Sequence, residues 1–301
     1  MSPKSLPQFS RQNGVAVVTA MLVAALAAML AAHALWFGGL ELRRLENRQS
    51  LAQARQLVLT GIDWGRSVLA DDLNRSRYDH PAEIWAHAIE NYPVDGMEEA
   101  HVSGQVEEQQ GRFDLNRLIR SGRLDPREQE RLRRLMVVRG INPARADTLA
   151  QWLENLAGLK AEGKTSTSPI RLLTDVEELG ASDLTDGELA RLKPWVCALP
   201  QAAPVNLNFL PTDLLARWQS TPDEDLAARM EAARNAAPFR DLADFRNRAR
   251  AGGEWSDQEW AASSRYFLLD AAASVGRAHV SGRALVERKG LWPTVIWRKT
   301  S

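Results

Sequence analysis

Gly14-Val15-Ala16-Val17-Val18-Thr19-Ala20-Met21-Leu22-Val23 opens an apolar run that continues through Leu30, Trp36 and Phe37 to Leu40. No Asp, Glu, Lys or Arg stands between Gly14 and Glu41. At ~1.5 Å per residue this run makes a helix of roughly 39 Å, longer than the roughly 30 Å hydrocarbon core of a bilayer. One end of the chain therefore reads as membrane-inserted, and everything after it as what that helix carries.

Working outward, the polar leader ends in Arg11-Gln12-Asn13-Gly14. Three readings fit it. A secretory signal peptide is one, with Lys4 and Arg11 as its basic region and Ala32-His33-Ala34 as a small-x-small cleavage site. The apolar region before that site is roughly 20 residues, beyond the usual ~7 to 15. A retained signal anchor is the second. The third is a prepilin-type leader cut after Gly14, where a residue without Cβ lets a protease approach and breaks the helix at the scissile bond. Charge asymmetry does not choose among them, because Arg43, Arg44 and Arg48 follow the span together with Glu41 and Glu46.

From Glu41 to about Leu73 the pattern stays helical but becomes amphipathic, with Leu45, Leu51, Val58, Ile62 and Leu69 among charged residues. Gly61 and Gly65 predict a bend or a close approach. Pro81 starts a short helix around Ile84, Trp85 and Ile89, and Tyr92 to Gly96 is a turn. Ala100 to Glu108 and Gly111 to Leu115 read as two strands around a polar turn. Asn116 to about Ser264 is helical throughout: Asp125-Pro126 and Asn142-Pro143 start helices, and Gly140 caps one. Gly158 to Ser168 is a polar loop. Thr174-Asp175-Val176-Glu177 has a capping-box pattern, Asp186-Gly187 opens a helix with Leu189 and Trp195, and Pro211, Pro222 and Pro238 mark later boundaries. Tyr266 to Ala271, Gly276 to Glu287 and Trp292 to Arg298 are strand-like. Two early strands are too few for a sheet, so the helical block reads as an insertion into one antiparallel sheet. The expected class is α+β: a long N-terminal helix on a small antiparallel sheet, with a large all-α insertion.

Composition narrows function. Lys plus Arg and Asp plus Glu are 38 each, so nothing global argues for a polyanionic partner. The single Cys197 sits in an apolar series and reads as a buried structural thiol. The five histidines are dispersed, and no nucleophile elbow, zinc-protease or phosphate-loop motif occurs, so the chain reads as no enzyme. Val205 to Pro211 and Pro238 to Phe245 resemble the frame of helix-hairpin-helix DNA-binding modules. At the hairpin stands Ser220-Thr221-Pro222-Asp223-Glu224-Asp225, whose carboxylates repel a phosphate. A divalent-cation site among Glu154, Asn155, Glu162, Asp175, Glu177 and Glu178 competes with a solvated helix face, and no EF-hand spacing is present.

Several pieces together resemble one family, the K-type minor pseudopilins of type II secretion systems. They are Arg11-Gln12-Asn13-Gly14-Val15-Ala16, Asp79-His80-Pro81-Ala82-Glu83-Ile84-Trp85-Ala86, Gly111-Arg112-Phe113-Asp114-Leu115-Asn116-Arg117-Leu118, the Val205 to Pro211 motif and Ser264-Arg265-Tyr266-Phe267. The resemblance implies a leader over 1–14 cut between Gly14 and Val15 by prepilin peptidase, with N-methylation of Val15. It implies a transmembrane part of the pilin helix over 15–40 and a periplasmic half with first strands over 41–118. The inserted helical domain would take 119–264, as two small subdomains, 119–204 and 205–264, and closing strands 265–301. The implied protein is a single-pass inner-membrane subunit with its bulk in the periplasm. It would cap the pseudopilus tip and help initiate its assembly, beside I-type and J-type minor pseudopilins and other pseudopilins, without nucleic acid. Where most pseudopilins carry Glu at the fifth mature position, this chain has Thr19; a carboxylate with no neighbour to receive it is costly in lipid, and the lack of Glu is typical of this family and fits a tip. The family's calcium sequence resembles Asp-Trp-Leu-Asp-x-Asp, whereas this chain reads Gln151-Trp152-Leu153-Glu154-Asn155-Leu156, which counts against calcium and leaves Glu154, Asn155 and Glu162 as weak metal candidates. The family's Asn-Thr-Ala-Pro segment is Asn208-Phe209-Leu210-Pro211 here. The alternatives are a membrane-anchored helix-hairpin-helix DNA-binding protein and a secreted helical protein with an ordinary signal peptide.

Overall fold

The absence of proline from Gln12 to Arg75 lets one helix, α1 (Gln12–Arg75), run for 64 residues. The structure is a computed structural model that describes residues 12–158, 170–216, 218, 224–253 and 255–301. Every residue from 15 to 39 is exposed, so the apolar half of α1 projects free of the body. From Ala54 onward a stripe of Ala54, Val58, Ile62 and Leu69 is buried, at the spacing that puts side chains on one helix face.

That stripe lies on a five-stranded sheet of β1 (Ile89–Pro93), β2 (Ala100–Glu108), β3 (Tyr266–Val275), β4 (Ala278–Glu287) and β5 (Thr294–Thr300). Spatial order follows chain order and every neighbouring pair is antiparallel. Alternate residues of the inner strands face the helix, among them Val106, Phe267, Leu269, Ala271, Val280, Ala284 and Val286. Gly104, Ala271 and Gly282 lie side by side across β2, β3 and β4. This row of minimal side chains is a trough along which α1 lies. The helix answers with its own glycines: a Cβ on Gly65 would stand 2.9 Å from Leu269 Cδ2. Gly61 and Gly65 thus serve close packing, not a bend.

All of the helical segment lies between β2 and β3, the pair that closes the sheet. It contains α2 (Pro126–Val138), α3 (Ala144–Leu156), α4 (Asp186–Leu192), α5 (Thr212–Leu215), α6 (Glu224–Ala236) and α7 (Leu242–Arg248). Local signals set these ends: Asp125 accepts from Arg127 N and Glu128 N with Pro126 following, Gly140 takes φ +67 after α2, and Asp175 and Thr185 each head a capping box. The segment has its own core, including Phe113, Leu132, Leu135, Leu149, Leu207, Phe239, Phe245 and Trp260. A smaller contact of Cys197, Leu199 and Ala203 with Tyr266 and Leu285 joins it to the sheet face away from α1. Cys197 is a free buried thiol, as its apolar setting predicts.

Several sequence expectations are corrected. Ile89 is not in a helix: a single 3-10 turn covers Ile84–Ala86, and Ile89 begins β1, because pairing with Gly104 supplies the backbone bonds that a short isolated helix lacks. Residues 111–115 do not form a hairpin with β2. Glu108 accepts from Gln110 N at 2.6 Å and Gly111 N at 2.7 Å and turns the chain off the sheet, so Phe113-Asp114 pairs in parallel with Val196-Cys197. The block is also not helical throughout, since Val205-Asn206 pairs in parallel with Trp260-Ala261, and Ile119-Arg120 pairs antiparallel with Arg123-Leu124. Pro194 ends α4 early and leaves Trp195 in a 3-10 turn. The last strand starts at Thr294, beyond Trp292 and Pro293.

Candidate assembly and junction site

The free half of α1 is the first functional element. α1 begins at Gln12, so the helix crosses the Gly14–Val15 bond, where a break was expected. Thr19 Oγ1 donates to Val15 O and Ala16 O, both at 3.0 Å. The hydroxyl is therefore satisfied within its own helix and asks nothing of a neighbour, which suits a polar side chain in lipid. Among the described residues this is the one helix long and apolar enough to cross a membrane.

The second element is a buried polar junction where α1, the sheet and the helical segment meet. Arg288, after β4, donates through Nη1 to Asp72 near the end of α1 at 2.9 Å and through Nη2 to both oxygens of Asp79 at 2.5 and 2.6 Å. Its guanidinium also lies 4.7 Å from the centroid of the Phe267 ring. Asp79 Oδ2 accepts from Ser264 N at 2.5 Å. Ser264 Oγ donates to Glu108 at 2.5 Å and accepts from Asn206 Nδ2 at 2.7 Å. Asn208 Nδ2 donates to Asp79 O and Phe239 O, and its Oδ1 accepts from Phe239 N. Gln110 accepts from Arg265 N and Tyr266 N and donates to Pro204 O. Burial pushes Glu83 and Glu108 up to about 7 each, against the donors that surround them.

The motif segments that carried the family resemblance thus converge here: Asp79 to Trp85, the start of Gly111 to Leu118, Val205 to Pro211 and Ser264 to Phe267. Sequence reading had no reason to bring them together, nor to include Arg288. The available signal was a set of polar residues flanked by apolar ones, Asn206 and Asn208 above all. In the helix-hairpin-helix reading those residues framed a DNA hairpin; in the structure both are buried in the junction. Of the hairpin itself, residues 219–223 lie outside the described residues.

Of the acids considered for a cation, Asp175, Glu177 and Glu178 are held by basic side chains. Gln151 is exposed, Asn155 is exposed, and Leu156, at the third acidic position, packs on the core. Glu154 is half-buried, and Glu162 lies outside the described residues. Asp175 takes Lys299 Nζ at 2.7 Å, Glu177 takes Lys193 Nζ at 2.6 Å, and Glu178 Oε2 takes Arg171 at 3.1 Å while its Oε1 closes a capping box. Lysine and arginine side chains thus occupy carboxylates that calcium would need.

A family model described as type II secretion system protein K matches residues 111–201. Type II secretion system protein K of Pseudomonas aeruginosa is 29% identical over 287 residues, covering 88% of this chain and 85% of its own. A solved GspK-GspI-GspJ complex from the type 2 secretion system of enterotoxigenic Escherichia coli contains a chain of the same fold. It has a TM-score of 0.67 at 19% identity and covers 86% of this chain and 99% of that one.

Proposed function

The chain belongs to the type II secretion system protein K family, and from that premise we propose that this minor pseudopilin caps the tip of the periplasmic pseudopilus and helps initiate its assembly. The observation that carries this reading is α1, whose residues 15–39 have nothing packed on them while the same unbroken helix seats the sheet. Such an element serves assembly through a membrane-embedded helix, and the family is one of secretion pseudopilins, not a class of enzymes. The residues between β2 and β3 add a second body beside a five-stranded sheet, and an end position accommodates that bulk where stacking within a filament does not. The neighbours we propose are the I-type and J-type minor pseudopilins, after the subunits named in the similar solved complex. Other pseudopilins would follow below them.

In the same reading prepilin peptidase cuts between Gly14 and Val15, the new amine of Val15 is methylated, and Thr19 stands where other pseudopilins place Glu. The protein spans the inner membrane once and holds its bulk in the periplasm. Calcium has no part in this proposal. The membrane-anchored DNA-binding protein and the secreted protein with an ordinary signal peptide are not favoured by the family match. Terminal sequencing of the mature protein from membranes tests the reading. A start at Val15 supports it, and a start at Leu35 overturns it.

A further inference from the structure

At the junction, oxygens of Asp72, Asp79 and Glu83 lie within 4.8 Å of one another. Glu108 joins them through Ser264. Four carboxyl groups thus face the single guanidinium of Arg288. Most of the other charged groups around them are engaged elsewhere. On α1, Asp71 pairs with Arg75 at 2.6 Å; at the end of β2, Glu107 pairs with Arg112 at 2.6 Å; at the end of β4, Glu287 lies 3.8 Å from Arg265. From the helical segment, Arg234 donates to Leu210 O at 2.7 Å; in the link between α1 and β1, the exposed Arg77 lines an adjoining cleft beside Arg288. His80 Nε2 is 4.0 Å from Glu83 Oε1, and burial lowers its affinity for a proton, so it does not supply the missing cation near neutrality.

We propose that this junction is a proton-dependent latch in which Glu83 holds the proton that seats the helical segment on the sheet and α1. The geometry singles out Glu83. Its Oε2 accepts from His80 N at 3.0 Å and from Trp85 Nε1 at 3.0 Å, whereas its Oε1 makes no hydrogen bond and is free to carry the proton. Ionised, it adds a buried charge beside Asp72 and Asp79, which share Arg288. The repulsion acts on Asp79, whose bond to Ser264 N and whose carbonyl bond to Asn208 hold the helical segment in place. Burial pushes Glu83 up to about 7. A carboxyl group raised in the folded state adds stability that is complete below the ordinary carboxylate range and is lost as pH rises through about 7. The latch is therefore closed in acid and loosens above neutrality.

The test uses the full chain in detergent micelles, with the tryptophan indoles labelled for NMR and with backbone hydrogen exchange. The Trp85 indole signal is expected to titrate in one step near pH 7. Exchange protection at Ser264, corrected for intrinsic rate, is expected to fall about tenfold between about pH 6 and pH 8, while amides of α3 change little. Glu83→Gln keeps both acceptor bonds through its amide oxygen and mimics the protonated state. It should abolish the Trp85 step and reduce the fall in Ser264 protection, leaving only what Glu108, bonded to Ser264 Oγ, contributes. A Trp85 signal that does not titrate in the unsubstituted chain overturns the proposal without recourse to the variant. So does a titration with unchanged Ser264 protection, or a step that persists in Glu83→Gln.

Discussion

Val58 on α1 and Gly282 on β4 interlock so closely that a Cβ on the glycine would stand 2.5 Å from the valine Cγ1. The Gly104-Ala271-Gly282 row lets α1 sink into the sheet there, and a methyl group would lift it. Gly282→Ala is expected to destabilise the protein by about 1–3 kcal/mol, the usual range for an overpacked core. Val58→Ala alone should also destabilise, by loss of burial. Combined, the two should cost less than their sum, because the second makes room for the first. Thermal unfolding of all three variants checks this, and strict additivity would show that the contact does not limit the packing.

Arg288 is nearly inaccessible, as is Asp79, and the pair is joined through both carboxylate oxygens. Removing one partner of a buried pair leaves the other charge without compensation, which costs about 3–5 kcal/mol. Arg288→Met should fall in that range by urea unfolding. Arg288→Lys should recover only part, since one ammonium cannot reproduce the fork that reaches Asp72 and Asp79 together. Because the junction seats the helical segment, early proteolysis of Arg288→Met should begin between β2 and β3 and spare the end of α1.

These two relationships divide what the sequence made legible from what it did not. Asp125 before Pro126, Gly140 after α2 and the Asp175 capping box were readable because each acts on backbone within a few residues. The insertion between β2 and β3 was readable because two early strands cannot form a sheet alone. Asp79 and Arg288 are 209 residues apart, and nothing in either segment announces the other. Ile89 was misassigned, and Phe113-Asp114 was read as a strand but beside the wrong neighbour, for a related reason: their partners, Gly104 and Val196-Cys197, are set by tertiary pairing, which overrides local pattern in segments this short. The Gly282 contact was equally hidden, since a glycine in a strand signals close approach without saying to what.

Asp114 predicts a pH dependence of the helical segment itself. Its Oδ1 accepts from Asn116 N and Leu199 N, while its buried Oδ2 has no partner, and burial pushes its carboxyl up to about 7. Because the folded state favours the protonated form, this contribution is full below about pH 4 and is lost as pH rises through about 7. The unfolding free energy should therefore fall from about pH 5 to about pH 8, by on the order of a few kcal/mol. Asp114→Asn should flatten that part of the profile. An unchanged profile in the variant would assign the dependence to other groups.

Chelation should leave stability unchanged. With Leu156 packed on the core and Asp175, Glu177 and Glu178 bonded to Lys299, Lys193 and Arg171, the carboxylates already have cationic partners. Added EDTA is expected to shift the melting temperature by no more than the error of the measurement, and added calcium to do likewise. A rise of several degrees with calcium would mean that a metal stabilises the fold by linkage. Lys299→Met should instead lower stability by freeing the buried Asp175 carboxylate, and calcium should not restore it.

Thr19 gives the most direct test of how the membrane half of α1 is used. Its hydroxyl donates to the carbonyls of Val15 and Ala16, a closed arrangement that leaves no polar atom seeking a partner in lipid. Thr19→Val removes the hydroxyl at nearly constant volume. Since the hydroxyl serves only its own helix, complementation of secretion in a strain lacking this subunit should be close to that of the unsubstituted chain. Thr19→Glu introduces a carboxylate near one end of the span, where burial costs less than the about 2.5–3.5 kcal/mol of the bilayer centre but still opposes insertion unless another subunit supplies a cation. A subunit at the tip has no subunit above it to receive that charge, so Thr19→Glu should lower the amount of protein recovered with its pseudopilin neighbours by about tenfold or more. Equal recovery of the Glu variant would mean that a partner cation is available, and the position would then lie within the filament instead of at its end.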